Sequence, residues 1–147
     1  MLRKEQIARA FCLEAKTDLA MAELAYENGI YSRCVSMSQQ VVEKILKAAL
    51  AMVGFYGLKK HEMLQYFIEE YSEIITEDLM SKIANLAEPI ETQWIRSRYP
   101  DWTDSTKPVW IPSKEYDQST AEKALSGAKD VYRLIIDIIK SQFDFEL

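Results

Sequence analysis

The chain has 147 residues, of which 48% are hydrophobic, and its formal net charge is -5. This length and apolar content suit one core, so we expect a single domain over residues 1–147. The acidic balance argues against a protein that coats nucleic acid in general. No apolar run reaches the ~18 residues of a membrane span, and the N-terminus lacks an apolar signal core, which predicts a cytoplasmic protein with no membrane partner.

The first two helices are predicted from apolar side chains that recur at steps of three or four. Residues 3–28 form the first helix, which ends at Asn28 and Gly29 because glycine accepts the left-handed conformation at a helix terminus. Ser32 is the candidate N-cap of the second helix, which we expect over Ser32–Val53. Apolar residues cover roughly half the circumference of this second helix, which predicts that it lies largely buried.

The second predicted helix has one narrow polar face beside its apolar half. Six residues fall on it: Arg33, Ser36, Gln40, Glu43, Lys44 and Lys47. Glu43 and Lys47 are four residues apart in the order that favours an ion pair. Residues 33–61 carry a net charge of +4, whereas residues 62–91 carry -7, so one face is suited to an anion. This polar stripe is the first candidate for a functional surface.

Shorter helices are predicted next. A third helix is expected from about His61 to Tyr71, and Thr76 is the candidate cap of a fourth. Pro89 is expected to kink or restart that fourth helix, with a further turn or two over residues 90–98.

A loop of about twenty residues follows, with an aromatic content too high for a disordered linker. We prefer a role in a subunit interface for its Trp102 and Trp110. The last helix is expected from a capping box at Ser119–Glu122 to about Gln142. These elements predict an all-α fold, an up-and-down antiparallel bundle of four to five helices.

Several kinds of site are not supported. His61 is the only histidine, no pair of Glu-x-x-His repeats exists, and the four glycines are not clustered. We therefore predict no metal site and no cofactor. Cys12 and Cys34 lie on apolar faces of separate helices, where free thiols are usual, so no disulfide is expected.

Four segments carry a family resemblance. They are QQVVEKILKAALAMVG at 39–54, LKKHEML at 58–64, SRYPD at 97–101 and TAEKAL at 120–125. In this order and spacing they resemble the HEPN family of small prokaryotic α-helical proteins, over about residues 5–140. The resemblance implies a HEPN-like helical fold.

For many family members the resemblance implies a metal-independent ribonuclease with an arginine and a histidine separated by four to six residues. Such a histidine would act as a base, and the arginine would hold the phosphate. The matching arginine here is Arg96 or Arg98, and no histidine occupies positions 101–105. We therefore assign no catalytic residue and leave enzymatic activity open.

The chain is more similar to the branch of the family with the RYP ending, which is often encoded beside a minimal nucleotidyltransferase and linked to nucleotide binding. That similarity implies lysines and arginines on phosphate, with Tyr99 or Trp102 stacked on a base. The candidate ligand-binding residues are Gln40, Glu43, Lys44, Lys47, Arg96, Arg98, Tyr99 and Asp101.

The resulting hypothesis is a homodimeric HEPN-type protein that binds nucleotide or RNA phosphate and forms a toxin-antitoxin-like pair with a nucleotidyltransferase. One alternative is a ribonuclease in which His61, or a residue of another subunit, replaces the missing histidine. Another is a purely structural helical adaptor, in which Glu43 and Lys47 form a solvated pair and Arg98 with Asp101 ties down a turn.

Overall fold

The computed structural model of this protein describes residues 2–147. Within them, six helices follow in order: α1 Arg3–Glu27, α2 Tyr31–Met52, α3 Leu64–Tyr71, α4 Glu77–Glu91, α5 Pro112–Glu115 and α6 Gln118–Phe143. The same residues contain no strand beyond an isolated bridge between Asp101 and Trp110. The predicted all-α fold is confirmed, and no helix in the described chain is long and apolar enough to cross a membrane.

The turn between α1 and α2 differs from the prediction in its cap. Gly29 adopts φ 71°, and the amides of Gly29 and Ile30 donate to the carbonyls of Tyr26 and Ala25. Because these backbone bonds close the turn, α2 begins at Tyr31 with Ile30 as its N-cap. Ser32 is therefore a buried residue of the first helical turn, and its prediction as the cap is wrong.

Helix α2 lies at the centre of the molecule. It packs against α1, α6, α4 and α3, and most of its residues are buried. Cys12 of α1 and Cys34 of α2 are buried free thiols, and burial raises the pKa of each to about 11. A helix that is enclosed on most sides can keep polar side chains only where they find partners.

Helix α3 begins at Leu64, three residues later than predicted. The backbone amides of Met63 and Leu64 both donate to Oε1 of Glu91, at 2.8 Å for Leu64. A side chain at the end of α4 therefore caps α3 from outside, and His61 stays in the non-helical segment before it.

Helix α4 starts as predicted and ends differently. The Thr76 hydroxyl accepts the amide of Leu79 at 3.2 Å. Pro89 lies inside α4, which continues unbroken to Glu91, so the helix does not restart at this proline. The proline is two residues from the helix end, where losing one backbone hydrogen bond interrupts little.

The connection to α6 is more ordered than predicted. Asp101 and Trp110 exchange backbone hydrogen bonds of 3.1 and 2.8 Å, and the short helix α5 follows. Helix α6 is capped by Asp117, which accepts the amide of Thr120 at 2.8 Å, so the predicted cap at Ser119 is wrong by two residues. Farther along, a Cβ at Gly127 would stand 2.9 Å from Ile90 Cδ1, so glycine permits the close approach of α4 and α6.

Candidate functional site

Glu43 is the centre of a group of polar side chains on α2. Glu43 is only 6% exposed, and both of its carboxylate oxygens have polar partners. Oε1 lies 2.9 Å from Nδ1 of His61 and accepts Nε2 of Gln39 at 3.4 Å, and Oε2 lies 3.2 Å from Nζ of Lys47. A buried carboxylate surrounded by donors in this way is held in place and has its charge compensated.

Gln39 connects this group to two other parts of the chain. It is fully buried, and its Nε2 also donates to the carbonyl of His61 at 3.3 Å. Its Oε1 accepts Nε2 of Gln40 at 2.8 Å and Nη2 of Arg98 at 3.4 Å. Together, Gln39, Gln40, Glu43, Lys47, His61 and Arg98 form what we call the α2 polar network.

Arg98 of the network and the neighbouring Arg33 have no carboxylate partner within residues 2–147. Arg98 is half-buried and contacts Oε1 of Gln39. Arg33, at the start of α2, donates to the carbonyl of Ser97 at 3.3 Å. A guanidinium has five N–H donors, so each keeps donors and a full positive charge for another acceptor.

His61 is a network residue with access to solvent. Its side chain is 43% exposed, and its ring stacks on Trp94 with centroids 4.2 Å apart and planes at 29°. Because the Glu43 carboxylate can only accept, Nδ1 is the nitrogen that carries the proton in this contact. In the neutral ring, Nε2 then keeps a free lone pair.

Glu91 is the last residue of α4, three residues before Trp94, and is 8% exposed. Burial raises the pKa of its carboxyl above the usual range, and the charges of Glu62 and Glu43 act in the same direction. The backbone amides of Met63 and Leu64 oppose the shift because they stabilise the ionised form.

The structure brings together four of the eight predicted ligand-binding residues: Gln40, Glu43, Lys47 and Arg98. Lys44 is not among them, since its Nζ pairs with Asp18 of α1 at 2.6 Å. Tyr99 is 57% exposed outside the network. Lys47 and Arg98 are thus linked through Glu43 and Gln39, and their convergence on one anion site stays a prediction.

Arg96 and Asp101 belong to the loop after α4. The Arg96 guanidinium lies 4.1 Å from the ring centroid of Trp110, whose Nε1 donates to the Arg96 carbonyl at 2.8 Å. Asp101 accepts the amide and hydroxyl of Thr103, and these bonds lower the pKa of its carboxyl. Trp110 thus braces the loop, whereas Trp102 is 71% exposed and the interface role predicted for it stays open.

Gln39 and Trp94 were not predicted as site residues, Arg33 was predicted only as part of the polar stripe, and the role of His61 was undecided. Gln39 had a signal, because a glutamine on the apolar side of a buried helix requires partners. Trp94 had none, since its contact with His61 depends on how the segment before α3 folds back against α4.

Comparison with known proteins shows the family to which the chain belongs. The family model for the HEPN domain matches residues 8–139. Over 140 residues the chain is 31% identical to a Methanocaldococcus jannaschii protein named "Putative toxin MJ1304", covering 92% of this chain and 90% of that protein.

Two crystal structures share the fold, each at 23% identity. TT1696 from Thermus thermophilus superposes with a TM-score of 0.73 over 89% of this chain and 97% of its own. ST0689, described as an archaeal HEPN homologue, gives 0.68 over 90% and 98%. With the family model spanning most of the sequence and the relative matched along nearly its whole length, the chain belongs to the HEPN domain family.

Proposed function

We propose that this protein binds nucleotide or RNA phosphate at the α2 polar network, as the HEPN half of a toxin-antitoxin-like pair with a nucleotidyltransferase. The observation that carries the proposal is Arg98, whose guanidinium has no carboxylate partner in the described chain and lies in one hydrogen-bonded network with Lys47. The name of the M. jannaschii relative supports the toxin-like role.

Arg98 has the geometry that phosphate recognition needs. Gln39 occupies one of its terminal nitrogens, which fixes the side chain and leaves its other donors free. A planar guanidinium can place two parallel hydrogen bonds on a phosphate, which makes arginine the usual residue for this contact.

The charge around Arg98 favours an anion. Lys47 and Glu43 offset each other within the network, and His61 also contacts that one carboxylate. Arg98 and the neighbouring Arg33 therefore contribute positive charge that no nearby acid cancels. In a partly buried setting this charge is screened less than at an open surface.

Calorimetric titration with mononucleotides and short RNAs tests the proposal. Arg98→Ala and Lys47→Ala should each weaken binding, by about tenfold or more for Arg98, because a charge-assisted hydrogen bond is lost. Lys82→Ala removes the same charge from an exposed position on α4 and is the matched control. Added salt should weaken binding to the unmodified protein steeply.

A different result would identify the network as a brace of the fold. Arg98→Ala and Lys47→Ala would then lower the melting temperature, and no salt-sensitive binding would be found. The purely structural adaptor would become the better description.

The proposed partner and assembly need their own measurements. Co-expression with a nucleotidyltransferase encoded by a neighbouring gene should yield a copurifying complex. Light scattering at tens of micromolar should show a homodimer, since exposed apolar residues such as Trp102 and Tyr99 suit an interface. A monomer at that concentration would remove the dimer from the proposal.

A metal-independent ribonuclease that uses His61 is the second candidate function. It is favoured by the contact of Nδ1 with buried Glu43, which orients the ring and leaves Nε2 available as a base. In such a reaction Nε2 takes the proton of a ribose 2′-hydroxyl. The oxygen then attacks the adjacent phosphorus, the 5′ oxygen leaves, and a cyclic phosphate forms.

Cleavage assays separate the two functions. The family's histidine after the arginine is absent, and loss of a positioned base typically lowers a rate by ~10² to 10⁴, so we expect the purified protein to cut RNA weakly or not at all. Robust cleavage of single-stranded RNA without metal, abolished by His61→Ala, would make the ribonuclease the better assignment.

A further inference from the structure

A cleft of about 720 Å³ opens beside the α2 polar network, between the start of α3 and the end of α4. Its lining includes Lys60, His61, Gln65, Tyr66, Glu91 and Trp94. This volume is in the range of small-molecule sites. His61 belongs to both the cleft and the network, so a ligand in one extends toward the other.

The stacked pair of His61 and Trp94 forms an aromatic wall of the cleft. Glu43 holds the imidazole through Nδ1, so the position of the wall is fixed by a buried group. Flat aromatic surfaces of this kind stack with nucleobases, because every base has a π face.

Glu91 supplies the polar recognition group. The residue is more than nine-tenths buried, and its Oε1 is used by the amides of Met63 and Leu64. Its second oxygen, Oε2, has no hydrogen-bond partner anywhere in residues 2–147, and the side chain lines the cleft. A carboxylate oxygen can only accept, so its natural partner is an N–H donor of a ligand.

The charges around the cleft favour an uncharged ligand group. Lys59 and Lys60 face three acids, Glu62, Glu69 and Glu91. Lys60 is also engaged by the hydroxyl of Tyr66, at 3.0 Å. A phosphate is therefore better placed at Arg98, whereas a neutral ring with N–H donors suits the cleft.

We infer that this cleft is a nucleobase pocket that selects bases with an exocyclic amino group over uracil. The base stacks on the wall formed by Trp94 and His61 and donates an N–H to Oε2 of Glu91. Uracil presents its only N–H between two carbonyl oxygens, which the carboxylate repels. The inference rests on the proposed function, since it specifies the nucleotide that the same site takes.

Cytidine and uridine monophosphates are the matched probes, because an amino group of cytosine is replaced by a carbonyl oxygen in uracil. Titration of the unmodified protein should show the cytidine nucleotide binding about tenfold more tightly or better, as expected for a site built around one hydrogen bond. Equal affinity for the two nucleotides would overturn the inference.

Glu91→Gln makes the test sharper. The backbone amides of Met63 and Leu64 keep the amide oxygen of the new side chain at the Oε1 position, which places its NH₂ group in the cleft. The acceptor thus becomes a donor, and the preference for cytosine should disappear or invert toward uracil. A cytosine preference that persists in a folded Glu91→Gln protein would contradict the role of Glu91.

Trp94→Ala tests the wall independently of Glu91. It should weaken both nucleotides by about tenfold without changing their ratio, since stacking does not read the base edge. Leu13→Ala, at an exposed apolar position of α1, is the control and should change neither affinity. If Trp94→Ala leaves both affinities unchanged, the pocket assignment fails.

Two fragments separate this inference from the proposed function. Ribose 5-phosphate that binds in an Arg98-dependent manner, without any discrimination between cytidine and uridine, leaves the phosphate site intact and refutes the base pocket. Cytidine that binds better than uridine in a Glu91-dependent manner, with no added affinity from a phosphate, supports the pocket and refutes the phosphate site.

Discussion

Arg96 and Arg98 are two residues apart, yet they lie in regions of opposite character. In the loop after α4, the guanidinium of Arg96 covers the ring of Trp110, and its carbonyl accepts the indole N–H. In the α2 polar network, Arg98 has one contact, to Gln39, and no acid within the described residues. The number of side-chain donors left without a partner, more than the residue type, therefore distinguishes a candidate site from a structural brace.

The acidic residues of the two regions differ in the same way. Asp101 and Asp104 each accept the amide and hydroxyl of the threonine two residues later, and these bonds lower the pKa of both carboxyls. Glu91 is buried beside the network, and its pKa is raised. The loop therefore stabilises the ionised forms of Asp101 and Asp104, whereas the surroundings of Glu91 disfavour its ionised form.

The largest effect that tests this comparison is expected at Trp110. Trp110→Ala removes the indole N–H bond, the contact with Arg96 and a half-buried ring, and should lower the free energy of unfolding by about 2 kcal/mol. Denaturant unfolding measures this loss. Nucleotide affinity should change little, because neither Trp110 nor Arg96 has a hydrogen bond to a residue of the network.

Leu13→Ala is the control, since that apolar side chain is exposed on α1, outside the loop. Surface substitutions usually change stability by no more than about 0.5 kcal/mol. Equal destabilisation by the two substitutions, or loss of nucleotide binding in Trp110→Ala, would break the distinction between brace and site.

Periodicity was enough to predict α2, its burial and its polar stripe. Residues at steps of three or four share a helix face in any fold, so the grouping of Gln40, Glu43 and Lys47 was available from the sequence. Arg98 was added by resemblance to the family. These four residues are the part of the candidate site that the network contains.

The rest depended on packing between distant segments. Lys44 was predicted as part of the polar stripe, and only the position of α1 shows that it forms an ion pair with Asp18 instead. His61 contacts Glu43 because the link after α2 returns to that helix. Glu91 caps α3 at Leu64, so His61 stays outside the helix. Arg96 and Asp101 were predicted as ligand contacts from the family resemblance, and the bridge between Asp101 and Trp110 has no clear local signal in the sequence.

A second, smaller effect compares two lysines of α2. Lys44→Ala leaves Asp18, with a side chain 15% exposed, without its ion-pair partner, and should lower stability by about 1–2 kcal/mol. Lys47→Ala leaves Glu43 with His61 and Gln39, so its cost should stay below about 1 kcal/mol. Unfolding curves of the two variants at one pH provide the measurement.

Binding should show the reverse order. Lys47→Ala should weaken nucleotide affinity and Lys44→Ala should leave it nearly unchanged, because Lys44 faces α1. If Lys47→Ala lost more stability than Lys44→Ala and lost no affinity, Lys47 would have a structural role and would not belong to the binding site.

The smallest effect concerns pH and the contrast between Glu91 and the loop acids. Since the pKa of Glu91 is raised in the folded state, that state holds the proton more tightly than the unfolded chain does. The resulting stability is fully present below the unfolded pKa and is lost as pH rises through the folded pKa. Glu91→Gln cannot ionise, so its melting temperature should match the unmodified protein in acid and exceed it at neutral pH.

Glu88→Gln makes the same chemical change at an exposed position of α4 and controls for net charge. Melting temperatures of both variants, followed from acid to neutral pH, should separate only for Glu91→Gln. A Glu91→Gln protein that is less stable at neutral pH would mean that the ionised carboxylate is a net stabiliser through the amides of Met63 and Leu64. Glu91 would then resemble Asp101 and Asp104, and the electrostatic contrast between the two regions would not hold.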